Sequence, residues 1–395
     1  MEKVVTVLDQ ELALKQAELP VTLMNGLAGL SVFYFNYARL SGNAVYDKKA
    51  TELSNEIIEQ LNTNRFRPLR IIHSFSTGLA GVGFTFWHLS RHRFIDFDYE
   101  ESFSFLDDFL TGAAEEDYKS GICDFLHGAI GIFYHFITQY PARDVSDRLE
   151  HLLDLFLRHC KQDEKGLRIK NMILEDVKEN EYDLGLAHGL SGILVVLNEC
   201  LKNKFREEKV AGIIRQIARY ILQAEKPVSE TKENSLFPTS IDEDLPDHHL
   251  TNIYNYRSRL AWCYGDLNIA WALVQIGKQP GFHDIYEKGI EVALSTLERK
   301  GYMQHQVGDV FFCHGSSGVA YFYKRLHQET GIAAFREAYD YWLNETVTDI
   351  LNDSPLWTRR EKPFSVLEGL VGLAFVLLPD QPGQKACWDE LFLLQ

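Results

Sequence analysis

Cationic side chains are in deficit: 40 lysines and arginines stand against 56 aspartates and glutamates, a formal charge of −16 over 395 residues. A surface of that sign repels phosphate backbones and anionic headgroups, which argues against nucleic-acid and membrane-surface roles but leaves a cationic peptide admissible. Cysteine is sparse as well. The thiols at 123, 160, 200, 263, 313 and 387 are too few and too scattered for a disulfide framework, so a reducing compartment is the simpler setting. Long apolar runs are missing: Gly369 to Leu378 falls short of the roughly 18–20 residues that span a bilayer. Met1 to Gln10 carries no secretory pattern, and the chain reads as cytoplasmic with no stable membrane insertion. No segment shows the short alternating strands of a sheet protein.

What is present is a repeat. A Gly-x-x-Gly pair or close variant recurs at Gly26/Gly29, Gly78/Gly81, Gly128/Gly131, Gly189/Gly192, Gly265 with Asn268, Gly315/Gly318 and Gly369/Gly372. Successive first glycines lie about 50–60 residues apart, with one wider gap between Gly189 and Gly265. Each pair opens an apolar stretch of helical length, such as Ile193-Leu-Val-Val-Leu. An amphipathic stretch follows, such as the stripe Leu149, Leu152, Leu153 and Phe156. The spacing predicts seven helical hairpins, each with a nearly all-apolar helix inside and an amphipathic one outside. Closure is favoured over an open solenoid, because an open array would wet one face of the apolar helices. The expected class is an all-α, α/α toroid forming a single domain over residues 1–395. The wide gap, at about 226–254, holds Pro227, Pro238, Pro246 and the run Asp242-Glu-Asp244, and reads as a long loop. It could act as a lid or peptide-binding element, or have no role.

Aligning the repeats on the first glycine gathers the chemistry. Two residues earlier stand Met24, Ser76, Leu126, Ala187, Cys263, Cys313 and Leu367. One residue earlier stand Asn25, Thr77, His127, His188, Tyr264, His314 and Glu368. Only two adjacent repeats place cysteine in that slot, and His314 follows the second. Two thiolates and an imidazole suit a zinc ion with a fourth position left for substrate, whereas two buried thiols beside a capping histidine is the plainer alternative. His188 holds the slot of His314 one repeat before Cys263, where it serves either as general acid or base or as a hydrogen-bonded helix-start residue. Asp124 and His127 flank the same end, and Asp124 either orients a histidine or a peptide amide or is an ordinary cap-region carboxylate. Cys123 lies out of register and reads as structural. Arg259, four residues before Cys263, stabilises an enolate or forms a surface ion pair. His73, His248, His249 and His305 share no register with the cluster.

At these residues the chain resembles the lanthionine synthetase C family, the LanC-type cyclases. The likeness is sharpest at Gly-Leu-Ala-His188-Gly189, Arg259-Leu-Ala-Trp262-Cys263-Tyr264-Gly265 and Cys313-His314-Gly315. It implies an α/α toroid with one zinc ion held by Cys263, Cys313 and His314, acid–base or orienting roles for His188 and Asp124, and enolate support from Arg259. The implied reaction adds peptide cysteine thiolates to dehydroalanine or dehydrobutyrine, closing thioether rings in a dehydrated precursor peptide. A separate dehydratase and an exporter are the implied partners. Two alternatives stay open: a LanC-like zinc protein that binds peptide or glutathione without cyclising, and another zinc thiol transferase on an α/α toroid. Asp266-Leu-Asn268 departs from the Pro-Gly pair that many members carry.

Overall fold

The computed structural model describes residues 1–65, 71–173, 178, 180–231, 234–245, 256–358, 361–380 and 386–395, with the side chains of 230 and 231 excepted. The chain falls into two compact units. One comprises Met1–Leu110, Gly308–Glu329 and Ala333–Gln395, and the other Thr111–Val307 with Thr330–Ile332.

In the first unit the apolar helices are Leu27–Ser41, Leu79–Arg91, Ser316–Thr330 and Leu370–Val376, and their side chains are buried almost throughout. Leu27–Ser41 packs against Leu79–Arg91 on one side and Leu370–Val376 on the other. Its amphipathic partner is Ala44–Asn62, whose Ala50, Leu53 and Ile57 are buried, as the 3.6-residue stripe predicts. In the second unit the apolar helices are Ala129–Ile137, Leu190–Lys202 and Asp266–Gly277. Their partners are Ser146–His159, Glu207–Leu222 and His283–Thr296.

One pairing has no local signal. The last apolar helix, Leu370–Val376, packs against the N-terminal helix Glu2–Lys15, which buries Val4, Val5, Leu8 and Leu12. Lys3 Nζ reinforces this end with a hydrogen bond to the Ile350 carbonyl at 2.7 Å and an ion pair to Asp353 at 2.8 Å.

The Gly-x-x-Gly pairs have a steric cause. A Cβ at Gly29, Gly81, Gly192, Gly318 or Gly372 would run into the backbone carbonyl six residues earlier, that of Leu23, Phe75, Leu186, Phe312 or Val366. The loop ahead of each apolar helix folds back onto the helix's first turn, so the second slot must lack a side chain. The fifth repeat solves the problem differently. Asn268 fills the slot and donates from Nδ2 to the equivalent carbonyl, Trp262, at 3.4 Å, while Gly265 adopts φ +112° to re-aim the loop. Replacing Gly318 with alanine is expected to cost about 1–3 kcal/mol through overpacking. Its thermal midpoint should drop by several degrees. Gly112→Ala, with nothing near the added methyl, should melt no lower than wild type. Equal midpoints for the Gly318 variant and wild type would refute the steric account.

The wide gap is more ordered than its composition predicts. Val228–Thr231 is a short helix, and Ser240–Asp242 pairs antiparallel with Glu181–Asp183. A second small hairpin pairs Lys161–Asp163 with Gly166–Arg168, so short strands do occur beside the helices. Asp266, fully buried, explains part of this order. It accepts from the Leu236 amide at 2.7 Å and the Phe237 amide at 3.0 Å, and pairs with Arg299. The expected loop also includes residues 246–254, with His248 and His249, which lie outside the described residues. No helix among the described residues is long and apolar enough to cross a membrane.

Candidate functional site

The repeat register has a backbone basis. In the first unit the Met24 amide donates to the Ser76 carbonyl at 2.9 Å, Val366 to Met24 at 2.8 Å and Cys313 to Leu367 at 2.8 Å. In the second unit the Cys263 carbonyl accepts from Leu186 at 2.8 Å and Ala187 at 3.1 Å. These repeats are therefore tied main chain to main chain at the cysteine slot or one residue before it, which fixes where the side chains start.

In the second unit this brings His188 beside Asp124. The Asp124 carboxylate is fully buried, and its Oδ2 takes hydrogen bonds from His188 Nδ1 at 2.6 Å and His127 Nδ1 at 3.1 Å. The two imidazoles stack 5.4 Å apart, 11° from parallel. Asp124 Oδ1 is buried with no partner. Burial alone would push the Asp124 pKa up, but the hydrogen bonds and charge of the two histidines hold it below the ordinary carboxylate range. The same pairing acts in reverse on His188: burial disfavours its cation, and the Asp124 hydrogen bond and charge outweigh that, so its pKa is raised. With Nδ1 committed to the carboxylate, Nε2 is the nitrogen left to exchange a proton.

Two further groups hold this arrangement, and neither stood out in the sequence. Asn171 bridges the loops, accepting from the Cys123 amide and donating to the His188 carbonyl, each at 3.2 Å. Asp183, six residues before Gly189, caps its own loop through the Gly185 amide at 2.6 Å, and burial pushes its carboxyl up to about 6. Asp309 does the same one unit away, accepting from the Phe311 amide at 2.7 Å. Both aspartates occupy the slot that Arg259 fills in the fifth repeat, a regularity that was readable from the alignment on glycine.

Cys313 and His314 belong to the first unit. Cys313 Sγ lies 3.3 Å from His314 Nε2, and both line a cavity of about 220 Å³ with Asp309, Lys362 and Glu368. Cys263 belongs to the second unit, its carbonyl fastened to the His188 loop as described. Cys263 and Cys313 are both buried, at 8% and 6% exposure. A thiol next to an imidazole is a donor pair of the type zinc takes, and the Cys263 thiol is of matching chemistry. Arg259 rests with its guanidinium 5.6 Å from the Tyr264 ring, and its Nε is buried without a hydrogen bond. Cys123 is buried, and burial pushes its thiol far above the ordinary range, consistent with a structural residue. His305 serves structure too: its Nδ1 accepts from the Val307 amide at 3.0 Å.

The model of the family described as "Lanthionine synthetase C-like protein" matches residues 17–393. Among solved structures, one titled "Nisin cyclase" superposes with a TM-score of 0.77 at 18% sequence identity, covering 100% of this chain and 97% of the other. That likeness shows the fold, and it bears out the all-α toroid class to which the repeats pointed.

Proposed function

The chain belongs to the lanthionine synthetase C-like family, and from that premise we propose that it is a zinc-dependent cyclase. It adds peptide cysteine thiolates to dehydroalanine or dehydrobutyrine and so closes lanthionine and methyllanthionine rings. The observation that carries this reading is the Asp124–His188 pair, a buried carboxylate bonded to an imidazole whose pKa it raises, just ahead of an apolar helix. Cys263, Cys313 and His314 are the proposed ligands of one zinc ion. When bound, the ion lowers the pKa of an incoming peptide thiol so that thiolate is available at neutral pH.

The remaining chemistry is assigned to the chain's own side chains. The sulfur lone pair forms a bond to the alkene β-carbon, and the π electrons move through the α-carbon onto the neighbouring carbonyl as an enolate. Arg259 is the proposed donor to that oxygen, since its Nε has no competing hydrogen bond. His188 Nε2 delivers the proton to the α-carbon, and Asp124 keeps the ring oriented and charged for that transfer. The substrate is a dehydrated precursor peptide, supplied by a separate dehydratase and passed on to an exporter in the cytoplasm. A surface of charge −16 suits a cationic peptide of this kind.

The test is incubation with a synthetic peptide that carries one cysteine and one dehydroalanine. Peptide mass should stay unchanged while titratable thiol and alkene absorbance disappear together. Persistence of the thiol under conditions where the peptide binds would replace the cyclase with a binding module.

A further inference from the structure

A second donor cluster lies in the first unit, in residues that the proposed reaction does not use. His88 stands in the last turn of the helix Leu79–Arg91, and His92 caps that helix. Four residues apart, they share a face, with ring centroids 4.6 Å from each other. Against them lies the 3-10 helix Trp388–Phe392, whose N-cap is Cys387. One donor atom each from His88, His92 and Cys387 falls within 4.8 Å of the other two.

The carboxylate of Glu390 organises the cluster. Its Oε2 lies 3.0 Å from His88 Nδ1 and its Oε1 lies 3.0 Å from His92 Nε2, while Arg91 completes its shell with an ion pair of 2.5 Å. One nitrogen of each imidazole is thus committed to the same carboxylate, which leaves His88 Nε2 and His92 Nδ1. His88 is fully buried, and its Nε2 has no hydrogen-bond partner. A buried ring nitrogen without a partner is costly and calls for a ligand. A carboxylate that fixes the outer nitrogen of a histidine is the usual second layer of a metal site.

We propose that His88, His92 and Cys387 form a second, structural site for a zinc-type divalent ion, with Glu390 orienting both imidazoles. Two imidazoles and a thiolate are borderline-soft donors that select zinc over magnesium or calcium. Tetrahedral zinc needs donors roughly 3.3–3.8 Å apart, so side chains already gathered to within 4.8 Å must draw closer to hold it. The Cys387 thiol now makes a weak contact with Asn36 Oδ1 at 3.6 Å, which it exchanges for the metal on losing its proton. The ion would fasten the C-terminal segment to the helix Leu79–Arg91. The site is independent of the Cys263, Cys313 and His314 set and of the function proposed for it.

The test counts metal. Full-length protein is stripped with a chelator, reloaded with excess cobalt(II) and desalted. Cobalt is then measured alongside the near-ultraviolet sulfur-to-cobalt band, in wild type, C387S, H92A and C263A/C313A. The expected result is one fewer cobalt per chain in C387S and in H92A than in wild type, and one cobalt retained in C263A/C313A with a band of one-thiolate intensity. Cobalt should also raise the melting temperature of wild type more than that of C387S. An equal cobalt count in wild type and C387S, with both folded by circular dichroism, would overturn the proposal. Should C263A/C313A fail to fold, the comparison of wild type with C387S decides alone, whatever metal the other set holds.

Discussion

Cys313→Ala is expected to lose one equivalent of zinc and to slow cyclisation by about 10³. A cysteine thiol of pKa near 8.5 is only a few per cent thiolate at neutral pH, which accounts for roughly 30-fold. Loss of positioning for the incoming sulfur adds on the order of 10². The two contributions are separable. Raising the pH toward 9 should recover the thiolate part and leave the positioning part, so the variant's rate should climb with pH more steeply than the wild type's. The fold should survive, because Cys313 keeps its backbone bond to Leu367 whatever its side chain. Metal analysis and thiol consumption check both halves. A variant that keeps full zinc content and full rate would remove Cys313 from the ligand set.

The seven repeats were legible because their cause is steric and local. A glycine that must admit the carbonyl six residues behind it leaves a mark at five of the seven copies, and the mark fixes the two adjacent slots that hold Cys263 and Cys313, and His188 and His314. Asn268 shows how far that rule bends, since a side chain that donates to the same carbonyl substitutes for an absent one. The pairing of Glu2–Lys15 with Leu370–Val376 was not legible, because an amphipathic stretch and an apolar one at opposite ends of a chain carry no sign of each other. The order around residues 234–245 was hidden for a related reason. Prolines and acidic residues read as loop, yet a carboxylate at Asp266, distant in sequence, receives two of its amides. Asp124 was visible as a candidate, but its two histidine partners come from different loops, and only one of them, His188, was singled out for a role in the chemistry. His127 shares the same oxygen, so the carboxylate serves two imidazoles and not one.

Asp124→Asn tests that site most sharply. An asparagine keeps the shape and a hydrogen bond but removes the charge that favours the His188 cation. With the carboxylate gone, burial is opposed only by the charges of Asp183 and Cys263, so the His188 pKa falls from its raised value. With less of the donor charged at neutral pH and its orienting carboxylate lost, cyclisation there should drop on the order of 10². The alkaline limb of the kcat/KM profile should move to lower pH, and part of the rate should return on acidification. The return is bounded, because Asp183, with its carboxyl near pH 6, loses charge over the same range and gives His188 less support. The sign for stability follows the same pairing. Asp124 has a depressed pKa in the fold, so its contribution is present above the ordinary carboxylate range and lost as pH falls through the lowered value. His188, with a raised pKa, contributes below 6.5 and loses that contribution as pH climbs through its folded value. The variant should therefore lose its stability deficit relative to wild type at both extremes of pH and show it fully in the acid-to-neutral window between them. His127→Ala should leave the His188 limb close to its wild-type position, since the 2.6 Å bond to Asp124 remains. If Asp124→Asn slows the reaction while the alkaline limb stays where it was, the carboxylate is shaping the loop and not the proton donor.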